Sequence, residues 1–145
     1  MAVLKKIVLL FSTIFILVAS TNTNLIKASL FSLIVELLER DNPYVQVYID
    51  SKEYKDIPKY VKKYKFTQNC LDADILFVDK LSELPKECIY EHKVFVTRYI
   101  DFIKNKDKVI GAFFWQKGRP TIIFNKQMLD YFGITLPPKY SKYID

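Results

Sequence analysis

Apolar and polar positions along the chain alternate between two periods, and the changes of period divide it into elements. From Leu25 to Arg40 the apolar positions Leu25, Leu30, Ile34, Leu37 and Leu38 recur at helical spacing; Asn24 stands where an N-cap belongs and Asp41-Asn42-Pro43 supplies a stop. Tyr44 to Ile49 is rich in β-branched and aromatic residues and predicts a short strand ending at Asp50-Ser51. Lys52 to Tyr64 carries an amphipathic helical period, with Pro58 either splitting that helix or opening its second half. The runs ADILFV (73–78) and KVFVT (93–97) read as strands covered on both faces. A short helix over Tyr99 to Lys104 follows, then strands over 109–115 and 121–124, then a helix over 126–132 closed by Gly133.

Helix and strand thus alternate through residues 25–104, and a hairpin closes the C-terminal part. This pattern predicts an α/β three-layer sandwich, with a mainly parallel sheet between helices and a C-terminal antiparallel hairpin at its edge. Only three glycines are present, at 111, 118 and 133. A dinucleotide or phosphate loop needs clustered glycines so that backbone amides can approach the anion, and none of the strands is followed by such a cluster.

The N-terminus changes the picture. Lys5 and Lys6 precede an uncharged run from Ile7 to Ala19 that only Ser12 and Thr13 interrupt. A spanning helix needs about 20 apolar residues, so this run predicts a secretory signal peptide over residues 1–20, cleaved near Ser20/Thr21. An uncleaved anchor would present the same domain on the same side of the membrane. The remaining 21–145 is expected to form one domain, placed in the periplasm. Net charge is +6 for the whole chain, and the leader holds two lysines and no acid, which leaves +4. The lysines at 52, 55, 59, 62, 63 and 65 are mixed with Glu53 and Asp56 at helical period, the pattern of a solvated helix face, so no nucleic-acid partner is expected. Cys70 and Cys88 each lie shortly before a buried strand. If those strands are parallel neighbours, both thiols sit at one edge of the sheet, and in an oxidising compartment a Cys70–Cys88 disulfide is expected over a reduced or redox-labile pair.

No catalytic machinery is legible. The single histidine, His92, precedes a strand in a polar stretch and reads as a surface residue. Asp72, Asp74 and Asp79 flank the strand at 73–78 and read as strand-end caps, since no His or second carboxylate cluster accompanies them. The expectation is therefore a non-enzyme without cofactor or metal. One stretch carries more recognition chemistry than its surroundings: Trp115-Gln116-Lys117-Gly118-Arg119-Pro120, read as a hairpin turn with Gly118 at positive φ. Trp and Arg dominate binding hot spots, so Trp115 and Arg119, with Lys117 acting through its charge, are the candidate partner-binding residues.

Over residues 73–144 the chain resembles the YfiR-like family of small periplasmic proteins. The resemblance is carried by Ile75 to Val78, Val94 to Thr97, Ile110-Gly111, Gly118-Arg119, Phe124-Asn125 and Gly133-Ile134. It implies a non-catalytic periplasmic regulator that binds and restrains an inner-membrane signalling protein such as a diguanylate cyclase. The residues also admit a second class of function, a small periplasmic ligand-binding domain related to solute-binding proteins, with its pocket at the C-terminal edge of the sheet. Self-association as a homo-oligomer stays open.

Overall fold

The computed structural model describes residues 23–145; the expected signal peptide and its cleavage point lie outside the described residues. Six strands form one sheet in the order β2-β1-β3-β4-β5-β6: β1 (Gln46–Asp50), β2 (Lys65–Phe66), β3 (Ile75–Val78), β4 (Lys93–Val96), β5 (Gly111–Gln116) and β6 (Arg119–Phe124). Neighbours are parallel throughout, except for the antiparallel β5–β6 pair at one edge. The α/β class, the mainly parallel sheet and its hairpin edge are thus as the sequence predicts.

Two apolar layers follow from side-chain alternation along the strands. On one face Val47, Ile75, Phe77, Phe95, Phe113 and Phe124 pack under α1 (helical through residues 23–38), α2 (Ile57–Tyr60) and α5 (Lys126–Tyr131). On the other, Leu76, Val78, Val94, Val96, Ala112 and Phe114 meet α3 (Lys86–Tyr90) and α4 (Tyr99–Lys104). All four residues of β3 are buried, which is why its sequence is unbroken by polar residues. Phe31 anchors α1: it is fully buried, with its ring centroid 4.6 Å from that of Phe77. A side chain of this size contributes about 1.5–3 kcal/mol when removed from water.

Several expectations are corrected. Asn24 lies inside α1 rather than capping it, and its amide donates to the Tyr60 hydroxyl at 3.3 Å. Leu25 is half exposed, whereas the expected Ile34, Leu37 and Leu38 are buried and Ala28, Phe31 and Val35 complete the inward stripe. Residues 52–64 do not form one helix: Pro58 sits in the first turn of the short α2, the only part of a helix where its missing N–H costs nothing. The chain then enters β2, whose two residues pair Gln46↔Lys65 and Val47↔Phe66, too short to leave an alternating signal. The helix α3 was not expected from the pattern either.

Cys70, in a 3-10 turn spanning Cys70–Asp72, and Cys88, on α3, are joined in a disulfide with their Cα atoms 5.8 Å apart. Because β3 and β4 are parallel neighbours, the segments preceding them share one edge of the sheet, and the bridge ties those segments together. Such a bond is compatible with an oxidising compartment. Among the described residues no helix is long and apolar enough to cross a membrane.

Candidate functional site

In a parallel sheet the ligand crevice lies beyond the C-terminal ends of the strands, where the strand order reverses. Here that point falls between β1 and β3, since the chain leaves β1 for β2 on one side and reaches β4 on the other. Asp79, directly after β3, fills it. One carboxylate oxygen accepts from the Lys52 amide at 2.9 Å and the other from the Thr97 hydroxyl at 2.5 Å. The Asp79 amide donates to the Asp50 carbonyl at 3.0 Å. Burial pushes the Asp79 carboxyl up, but the hydrogen bonds from Thr97, Ser51 and the Lys52 amide, with Arg98 nearby, outweigh it and hold the group below its ordinary range. Ser51, itself buried, also accepts from the Tyr54 amide at 3.2 Å. The polar groups at the crevice are therefore occupied by one another, joining the ends of β1, β3 and β4.

Asp74 lies at the opposite end of β3, where it accepts from the Gln46 amide at 2.8 Å. The strand length separates it from Asp79, so these acids do not converge. Among the described residues no group of three His, Cys, Asp or Glu side chains is placed to hold a metal ion. His92 is half-buried rather than on the surface, with its Nε2 3.3 Å from the Leu71 carbonyl oxygen.

The hairpin turn is tighter than the sequence suggested. Gln116 and Arg119 already belong to the strands, and the turn proper is Lys117-Gly118, with φ of 51° and 73°. Two consecutive positive φ values make a type I′ turn, whose twist suits a two-residue hairpin and whose second position favours glycine. The register pairs Trp115 with Pro120 and Gln116 with Arg119, which places Trp115 and Arg119 on opposite faces of the sheet. Trp115 shares the Phe113 face and is half-buried. The Lys27 ammonium lies 5.7 Å from its ring centroid and 5.8 Å from that of Tyr54, while pairing with Glu53 at 2.7 Å. Tyr54 stacks on Phe113 at 4.8 Å and donates its hydroxyl to the Phe113 carbonyl at 2.8 Å. Burial pushes the Tyr54 phenol well above its usual range, so it remains a donor at every working pH.

On the other face, α4 and the hairpin leave an open groove of about 660 Å³, lined by Arg98, Tyr99, Phe114, Thr121 and Ile123, with Trp115 at its end. The rings of Tyr99 and Phe114 meet at 5.9 Å. α4 has four apolar residues in six, but only Phe102 is buried; Tyr99, Ile100 and Ile103 are 52%, 50% and 41% exposed. The sequence carried this signal, since a helix of under two turns resting on a sheet can bury only one row.

No model of a known protein family matches the chain, and no characterised protein is significantly similar to it.

Proposed function

We propose that this protein is an exported, non-catalytic regulator that acts by binding another protein, an inner-membrane signalling protein of the kind the YfiR-like resemblance implies, such as a diguanylate cyclase. The observation that carries the reading is the state of the crevice. At the point where an α/β sheet ordinarily offers polar groups to a ligand, Asp79, Ser51 and Thr97 satisfy each other, whereas α4, beside the hairpin, leaves three of its four apolar side chains, Tyr99, Ile100 and Ile103, exposed. A surface of this kind serves recognition better than chemistry. The disulfide supports export, because it persists only where thiols are not kept reduced.

The test is capture by the immobilised protein from detergent-solubilised inner membrane, with bound proteins identified by mass spectrometry. Reproducible enrichment of an integral membrane protein bearing an external domain is expected. No such enrichment, together with a saturable thermal shift by a small organic anion, would replace this reading by the ligand-binding one.

A further inference from the structure

The groove beside α4 and the charge around it specify what kind of partner fits, an inference that rests on the regulatory reading above. Between Thr97 and Phe124 stand six cations, Arg98, Lys104, Lys106, Lys108, Lys117 and Arg119, against the acids Asp101 and Asp107, a net of +4. The rest of the described chain holds fourteen cations and fourteen acids and is neutral, so the whole excess positive charge of residues 23–145 lies on α4, the loop after it and the hairpin. Arg98 is paired with Asp101 at 2.7 Å and Lys106 with Asp145, whereas Lys104, Lys108, Lys117 and Arg119 form no ion pair among the described residues. The alternation of β6 places Arg119 on the same face as Thr121 and Ile123, which line the groove. Tyr99 lines the groove itself, and Ile100, Ile103 and the unpaired Lys104 follow it on α4 outside the lining.

The sheet edge decides how a partner can lie here. In a two-residue hairpin the closing pair, Gln116 and Arg119, exchanges its backbone hydrogen bonds, so Pro120, Ile122 and Phe124 direct theirs outward. Pro120 has no N–H, and the Phe124 carbonyl accepts from the Asp145 amide at 2.8 Å. Among the described residues only Ile122 keeps both groups free, so an added strand would find no ladder to extend. A bilayer surface is flat and fits a protrusion rather than a groove.

We propose that the groove between α4 and the β5–β6 hairpin receives an acidic amphipathic helix of a partner protein. Tyr99, Ile100 and Ile103 take the apolar face of that helix, and Lys104, Lys117 and Arg119 meet its carboxylates.

Binding is read from the anisotropy of a fluorophore carried at one end of each titrated peptide and, for vesicles, from co-sedimentation, because the Trp115 side chain lies on the opposite face of the sheet. The protein purified from expression of the full chain is titrated with designed peptide helices of about five turns. One carries Leu on one face and Glu on the other, a second carries Lys in place of Glu, and vesicles of phosphatidylcholine with phosphatidylglycerol form a third arm. A saturable change with the Glu peptide is expected, weakened by salt. The double variant Ile100→Ser/Ile103→Ser, and separately Lys117→Glu/Arg119→Glu, should each raise its Kd about tenfold or more. Equal binding of the Glu and Lys peptides, a response to vesicles alone, or no saturable response would overturn the proposal. If a variant unfolds early, the salt series on the unaltered protein still decides. Membrane capture that survives both variants would sink this site while leaving the regulatory reading intact; Glu-peptide binding without any membrane capture would do the reverse.

Discussion

Reducing the Cys70–Cys88 bridge should lower the melting temperature by about 12 °C, and the number follows from chain entropy. The bond closes a loop of sequence separation 18, for which the loop-entropy relation gives about 3 kcal/mol at room temperature. Globular domains unfold with an entropy of about 2.1 cal/mol/K per residue, so for a domain of this size each kcal/mol moves the midpoint by about 4 °C. Both sulfurs are buried, Cys88 completely, so the thiols left by reduction remain in the apolar layer and no large packing loss is added. The assay is thermal unfolding followed by circular dichroism with and without reductant, beside the Cys70→Ala/Cys88→Ala variant. The variant should melt low in both buffers and show no response to reductant. A fall of under about 3 °C in the reduced protein, or free-thiol labelling of the denatured, unreduced protein, would refute the reasoning.

Gly111→Ala should destabilise the fold by about 2 kcal/mol or more: a Cβ there would stand 2.5 Å from the Ile123 carbonyl oxygen and 2.6 Å from the Phe95 ring, with backbone on one side and core on the other. Urea unfolding measures it, and a loss within about 0.5 kcal/mol would show that the strands can part at no cost. Asp79→Asn should destabilise near neutral pH. Because the carboxyl is depressed in the folded state, its contribution is present above the unfolded value of about 3.9 and disappears as pH falls through the folded value. The gap between variant and parent in a pH series of unfolding midpoints should therefore close in acid; a gap independent of pH would assign Asp79 no charge-dependent role. N-terminal sequencing of the exported protein should find a start near Thr21, and an intact Met1 would contradict cleavage.

The fold was legible where burial is two-sided. Ile75 to Val78 and Val94 to Val96 are covered on both faces, and their unbroken apolar runs announce it. Where structure is set by partners elsewhere in the chain, the local pattern misleads. β2 exists because β1 offers it an edge, not because Lys65-Phe66 favours a strand, and Asn24 reads as a cap only when the Tyr60 hydroxyl that it meets is unknown. The turn residues Trp115, Lys117 and Arg119 were correctly placed near one hairpin, but their division between two faces depends on Arg119 lying in the strand beside a two-residue turn. Lys27 over the Trp115 ring joins residues far apart in sequence and has no local signature. The clamp around Asp79 likewise requires the sheet order, which brings Ser51 and Thr97 to it from two other segments.

The central claim, that a membrane signalling protein docks on the groove beside α4, is tested most directly by site-specific photocrosslinking in membranes. A photoreactive residue is placed at Ile100 and, in a separate protein, at Leu71; the two positions are 50% and 55% exposed but lie in different parts of the fold. The account predicts a discrete crosslink from position 100 to an integral membrane protein and none from position 71. Crosslinking from position 71 alone, or from neither position to any membrane protein, would contradict it.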